Sequence, residues 1–170
     1  MTRHGVSKTN AIRALDQHGV PYQTFTYDAS IHSADAVAGI LGVPASNVFK
    51  TLVVIADGVR HLLVMTSGDR ELDLRQVAKA VGAKCAQMAT QRDAERLTGL
   101  KVGGISPLAL LGKRFEVYLD EPAMHLEAVF LNGGQRGINV SVAVQDLIAI
   151  TGARIITATR PGAGQVVGDR

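Results

Sequence analysis

Apolar residues recur at helical spacing in four stretches: Ile12 and Leu15; Val37, Ile40 and Leu41; Leu74, Val77, Ala78 and Val81; and Val144, Leu147 and Ile148. This is the pattern of amphipathic helices that bury one face. Local signals mark their ends. Ser7 and Ser33 stand where N-caps are expected, Thr90 with Asp93 three residues on reads as a capping box, and Gly19, Gly42, Gly82, Gly99 and Gly152 close the runs. Strand-like runs lie between them, over Tyr22–Tyr27, Val48–Ala56, His61–Thr66, Phe115–Leu119, Ala128–Leu131, Ile138–Val142 and Arg154–Ala158. Asp57-Gly58 between two apolar runs is a hairpin signal, and Asn132-Gly133-Gly134 marks a second turn, so part of the sheet is antiparallel. The pattern predicts an α/β chain of the α+β type. A single domain over residues 1–160 would hold a mixed, mainly antiparallel sheet, curled toward a partial barrel, with helices packed outside it. The breakers in PGAGQVVGDR predict a mobile tail over 161–170.

Composition narrows the function. The 170 residues carry 18 Lys and Arg against 15 Asp and Glu, a net charge of +3 that does not describe a protein coating DNA. There is no Trp, and aromatic residues make up 4% of the chain, which leaves little surface for stacking bases. The lone Cys85 excludes a disulfide framework, and its small apolar neighbours predict a buried structural thiol. The first ten residues lack the apolar core of a secretion signal and no uncharged apolar run is long enough to span a bilayer, so a cytoplasmic location without membrane contact is expected. The five histidines are scattered with no pair at metal-ligand spacing, so neither a metal nor another cofactor is expected.

Four positions could carry chemistry. Lys50 interrupts the apolar run Val48-Phe49-Lys50-Thr51-Leu52-Val53-Val54-Ile55. Parity puts Leu52 and Val54 on its face and Phe49, Thr51 and Val53 on the other; both are apolar, so Lys50 is not obviously on a wet side and a partly buried ammonium would need an anionic or carbonyl partner. Lys101-Val102-Gly103-Gly104-Ile105-Ser106-Pro107 could bring exposed backbone N–H groups close to an oxyanion, but it lacks a P-loop ending, and Ser106 sits in no nucleophile elbow. As a plain turn it would need no ligand. Asn132-Gly133-Gly134-Gln135-Arg136-Gly137 reads as a hairpin with a solvated arginine. Asp146, in Gln145-Asp146-Leu147, suits a first helical turn or could orient a cation; His32 beside Ser33 suits a cap or a surface position.

The order of these elements is more specific than any one of them. Val20-Pro21-Tyr22 through Thr26-Tyr27-Asp28, then Phe49-Lys50-Thr51-Leu52, Val102-Gly103-Gly104-Ile105-Ser106-Pro107, Gly133-Gly134-Gln135-Arg136-Gly137 and Gln145-Asp146-Leu147 resemble the YbaK/EbsC family over about residues 5–158. That family comprises free-standing aminoacyl-tRNA deacylases similar to the editing insertion domain of prolyl-tRNA synthetase, and the full Gly-Gly-Ile-Ser-Pro element looks most like the branch that acts on cysteinyl-tRNA(Pro). The resemblance implies a pocket in which Lys50 is the essential lysine and Gly103 and Gly104 form the close-approach loop. It further implies substrate contacts from Tyr27, Phe49, Thr51, Ile105, Ser106 and Asp146, with His32 where some relatives carry an aromatic residue. Val144 stands where a proline often precedes Gln145.

No Ser-His-Asp or Cys-His arrangement is evident, which fits what the resemblance implies for cysteinyl esters, with cysteinyl-tRNA(Cys) as a further candidate substrate: the substrate's own thiol attacks its ester and the protein positions it. Two alternatives stay open, a deacylase for alanyl- or seryl-tRNA using activated water, and a noncatalytic tRNA- or synthetase-binding module. Partners implied are an aminoacyl-tRNA acceptor end and prolyl-tRNA synthetase. Arg70, Lys79, Lys84, Lys101, Lys113, Arg114 and Arg136 are the candidates for phosphate contacts.

Overall fold

Helices begin in this chain where a side chain accepts the first free N–H groups. In the computed structural model, which describes residues 7–162, this holds for four of the five α-helices. Helix α1 (Asn10–Gln17) is capped by Thr9, α2 (Ala34–Leu41) by Ser33, α3 (Leu74–Val81) by Asp73 and α4 (Gln91–Thr98) by Thr90; α5 (Val144–Thr151) has no side-chain cap. Thr9, rather than Ser7, caps α1 because it stands next to the first helical residue. Its Oγ1 accepts from Ile12 N–H at 3.1 Å and donates to the Gly133 carbonyl, tying the helix start to a distant turn.

Ten strands alternate with the helices: β1 (Tyr22–Thr26), β2 (Phe49–Ala56), β3 (Arg60–Ser67), β4 (Arg70–Leu72), β5 (Ala86–Met88), β6 (Glu116–Asp120), β7 (Ala128–Asn132), β8 (Ile138–Ala143), β9 (Arg154–Ile156) and β10 (Thr159–Pro161). They form a five-stranded sheet in the order β5-β2-β3-β6-β9, a three-stranded sheet β1-β8-β7 and the pair β10-β4. Pairing is antiparallel except for β3 with β6 and β6 with β9. A parallel bridge from Val48 to Phe130 links the two larger sheets, giving the curled, mixed and mainly antiparallel arrangement that the turn signals imply. The hairpin at Asp57-Gly58 forms as expected: both residues have positive φ, 51° and 74°, and Val59 N–H donates to the Ala56 carbonyl.

The largest core cluster packs Ile12 and Leu15 of α1 and Leu147 of α5 against Leu119, Val129, Leu131 and Val140 of the sheets. A second gathers Val54, Leu62, Val64 and Val77 beneath α3. Asp120 is buried but satisfied, accepting from Ala158 N–H at 2.8 Å and from the Thr159 hydroxyl. That bond ends the Arg154–Ala158 run early, at Ile156, and starts β10. Strands β4, β5 and β10, three residues each, are too short to show a period of two. Pro161 pairs with Arg70 and so belongs to the sheet rather than to a tail; positions 163–170 lie outside the described residues. Cys85 is exposed, not buried. It sits in the bend before the edge strand β5, where its N–H donates to Asp57 Oδ1 and its carbonyl accepts Asp57 N–H, and neither bond turns the thiol inward.

Arg60 clamps Glu116 through two bonds, Nε to Oε2 at 2.9 Å and Nη2 to Oε1 at 2.6 Å, and Tyr118 donates to the same carboxylate at 2.8 Å. These partners, Arg60 first, hold the Glu116 carboxyl below its ordinary value. A carboxylate held down in the folded state contributes stability above its unfolded value of about 4.3 and loses it as pH falls through the folded value. Glu116→Gln should therefore lower the denaturation midpoint at pH 7, with the gap to the unsubstituted protein closing below about pH 4. A gap that stays constant from pH 7 to pH 3 would rule out the ionic contribution.

Candidate functional site

Strand β5 pairs with β2 only from Val54 to Ala56. Between Val48, bridged to Phe130, and Val53, whose carbonyl accepts Ala89 N–H, the edge of β2 has no neighbouring strand among the described residues. There a cavity of about 400 Å³ opens, in the size range of about 300–1,000 Å³ usual for small-molecule sites. Residues Val48 to Leu52 line one side of it. The start of α2 from His32 to Val37 forms a wall, Val102, Gly103 and Ile105 another, and Tyr27 joins the lining together with Asn132 and Asn139 of the three-stranded sheet. Gly68 completes the lining; its N–H donates to the Val48 carbonyl at 2.8 Å, and a Cβ at this position would collide with Ala34, so glycine is what lets α2 lie this close.

Seven of the ten expected site residues meet here: Tyr27, His32, Phe49, Lys50, Thr51, Gly103 and Ile105. Lys50 is exposed into the cavity mouth, with no ion pair or hydrogen bond to another described residue. The expectation of a partly buried ammonium is thereby corrected, because the missing strand beside β2 lets water reach a position whose parity looks internal. Tyr27 lies just beyond β1, its N–H bonded to the Gly137 carbonyl at 3.0 Å; burial raises its phenol's pKa, and a hydrogen bond from Asn139 offsets part of that.

Three expected residues do not line the cavity. Gly104 is buried with its N–H donating to the Lys101 carbonyl at 2.8 Å, so it is not a free donor. Its lack of a side chain serves a backbone crossing instead: a Cβ would meet Arg136 N at 3.1 Å and the Gln135 backbone at 3.3 Å. Ser106 is fully buried and caps the following 3-10 turn by accepting from Leu108 N–H at 3.3 Å. Asp146 sits half-buried in the first turn of α5, where the helix dipole accounts for it.

Of two asparagines in the lining, sequence reasoning read Asn132 only as the start of a turn and did not single out Asn139. Asn132 Oδ1 accepts from Gly134 N–H at 2.6 Å, and its Nδ2 donates to the carbonyls of Gly103 at 2.7 Å and Gln135 at 3.2 Å, stapling the two glycine loops together. Asn139 is its cross-strand partner, 3% exposed, with Oδ1 unpaired. The signal was a single amide in the strand Ile138-Asn139-Val140-Ser141-Val142, on the opposite parity from the core residues Ile138, Val140 and Val142.

The lining side chains hold no nucleophile and base in hydrogen-bond contact among the described residues. Ser33 Oγ is committed to Ala36 N–H. Cys85 borders Asp57 at the far end of β2, seven residues or roughly 23 Å of strand from Lys50. Of the basic candidates, Arg70 donates to Thr159, Lys101 pairs with Glu95 at 3.9 Å and Arg136 donates to the Val102 carbonyl, while Lys84, like Cys85, lies at the far end of β2. Among the described residues no helix is long and apolar enough to cross a membrane.

Known proteins resemble the chain in sequence and in fold. A family model described as an aminoacyl-tRNA editing domain matches residues 28–150. The chain is 35% identical over 154 residues to an Enterococcus faecalis protein named as a Cys-tRNA(Pro)/Cys-tRNA(Cys) deacylase, EbsC, which covers 89% of this chain and 93% of that one. It is 26% identical over 163 residues to the multifunctional Ser/Thr-tRNA deacylase ProXp-y of Escherichia coli K12, covering 94% and 97% of the two chains. A crystal structure described as a trans-editing enzyme for prolyl-tRNA synthetase superposes with a TM-score of 0.79 at 26% identity, covering 91% of this chain and 99% of the other.

Proposed function

The chain belongs to the aminoacyl-tRNA editing domain family, whose members remove amino acids from mischarged tRNA, and from that premise we propose that it clears cysteine from tRNA(Pro), and from tRNA(Cys), in the cavity beside Lys50. One observation carries the reading: a Lys50 ammonium with no partner among the described residues shares a cavity with a glycine loop, and no nucleophile and base in contact accompany them among those residues. Such a site holds and polarises an ester without attacking it.

The cysteinyl thiol supplies the attack. Its sulfur bonds to the ester carbonyl carbon, the carbon–oxygen bond to the terminal ribose breaks, and the thiol proton ends on the departing ribose oxygen. Cysteine leaves as a thiolactone that water opens. The protein's share is the bent conformation of the bound ester, the Gly103 N–H as donor to the oxyanion and Lys50 as the cation near the terminal ribose or phosphate; one oxyanion donor is worth roughly 2.7–4 kcal/mol in comparable sites. Tyr27, His32, Phe49, Thr51, Ile105 and Asn139 shape the space around the aminoacyl group.

Such a domain acts where charged tRNA is found, in the cytoplasm. Selection of one tRNA falls to a complex with prolyl-tRNA synthetase, since the anticodon lies far from an acceptor end held here. The likeness to ProXp-y favours a second reading, hydrolysis of seryl esters by water, with His32 at the cavity wall. A deacylation panel over cysteinyl-, alanyl-, seryl- and prolyl-tRNA separates them: turnover of the cysteinyl ester alone is expected. Preference for the seryl or alanyl ester would establish the second reading, and no turnover on any would leave a binding module.

A further inference from the structure

The turn that carries Gly103 can exist in two forms, and its neighbours select one. Lys101-Val102-Gly103-Gly104 is closed by Gly104 N–H donating to the Lys101 carbonyl at 2.8 Å. Gly103 has φ +90° and Val102 is not among the residues of positive φ, so the turn is type II with glycine at its third position. A type I turn differs by a flip of the peptide between Val102 and Gly103. That peptide is planar and trans, so its carbonyl and its N–H point in opposite directions. The flip would exchange a donor for an acceptor on the cavity side.

Three side chains grip this loop. Glu95 Oε1 accepts Val102 N–H at 3.1 Å, and Asn132 Nδ2 donates to the Gly103 carbonyl at 2.7 Å. Both hold peptides that flank the one that flips. Among the described residues only Arg136 holds the flipping peptide itself, with Nε donating to the Val102 carbonyl at 2.7 Å. Its aliphatic stem lies against Gly103, where a Cβ would meet Arg136 Nε at 3.1 Å and Cγ at 3.4 Å. Val102 and Gly103 both line the cavity, but Arg136, which holds the Val102 carbonyl, does not, and the Gly103 N–H has no partner among the described residues.

We propose that Arg136 is a positioning residue: by holding the Val102 carbonyl outside the cavity, it keeps the Gly103 N–H aimed inward as the oxyanion donor. This rests on the reading of Gly103 as a donor in deacylation, and it gives Arg136 a task other than touching tRNA phosphates. The two roles diverge in two substitutions. A glutamine amide nitrogen stands at the same place along the side chain as arginine Nε, so Arg136→Gln keeps the donor and loses the charge, while Arg136→Ala loses both.

Arg136→Ala should lower kcat for cysteinyl-tRNA(Pro) roughly 10- to 100-fold, a part of the 10²–10³ lost when an oxyanion donor is removed, with KM within about twofold. Arg136→Gln should recover kcat to within about threefold of the unsubstituted protein. By NMR, the nuclear Overhauser contact between Val102 Hα and Gly103 N–H, strong in type II turns and weak in type I, should weaken in Arg136→Ala and persist in Arg136→Gln. A raised KM with kcat kept in both variants would make Arg136 a phosphate contact and overturn the proposal, as would an unchanged contact in Arg136→Ala. If the unsubstituted protein turned over none of the four esters, the deacylase reading would fall, while the NMR contact would still decide whether Arg136 locks the turn.

Discussion

Lys50→Ala abolishes turnover of cysteinyl-tRNA(Pro), lowering kcat/KM by about 100-fold or more, while the stability of the fold changes by no more than about 0.5 kcal/mol. The two halves of this expectation come from the same geometry. Lys50 is exposed at a gap in the sheet edge, so truncating it opens no core cavity and strands no buried partner. The side chain is nonetheless a cation of the cavity lining with no partner among the described residues, and no other described lysine or arginine lines that space to replace it. Single-turnover deacylation and thermal unfolding of the same preparation measure both quantities. A variant that keeps most of its rate would make Lys50 a surface residue and move the site elsewhere; a variant that loses rate and unfolds early would make it structural.

The second large effect separates chemistry from fit. The 2-aminobutyryl ester of tRNA(Pro) differs from the cysteinyl ester by a methyl group in place of the thiol, and a pocket distinguishes groups so alike by only about 1–3 kcal/mol, or roughly 10- to 200-fold in rate. If the substrate thiol is the nucleophile, the methyl compound has nothing to attack with. Its rate should fall by more than about 200-fold while it still competes for binding. Equal rates would show that water is the nucleophile and would turn attention to His32, the histidine in the lining.

Much of this site was legible along the chain, for reasons that can be named. A lysine in an apolar strand and paired glycines before Ser-Pro are local departures from pattern, and both mark the cavity. The reach of each signal was less legible. Parity placed Lys50 on an apolar face but could not reveal that β5 stops at Val54, since a three-residue edge strand has no readable period. Gly104 looked like a ligand-contacting glycine because close approach to a ligand and close approach to the Gln135-Arg136 backbone make the same demand on the sequence. Ser106 and Asp146 followed the same course: a serine before proline and an aspartate in a first turn each have a local use, and here that local use is what the fold employs. Asn139 was passed over because its neighbours read as an ordinary strand. Only the register β1-β8-β7 brings its amide beneath Tyr27 and opposite Asn132.

The bridge from Val48 to Phe130 also bears on how the molecule reaches its folded state. The hairpin β2-β3 closes a short loop, and β7-β8 another, so each can form early and by itself. Joining them costs the entropy of a much longer loop, and pairing Tyr22 with Val142 closes a longer one still. The cavity lining is drawn from stretches far apart in sequence: β2, the start of α2, the Val102–Ile105 loop and the β7-β8 hairpin. The cavity is therefore complete only when these long-range pairings are made, and helices and hairpins formed by themselves do not enclose it.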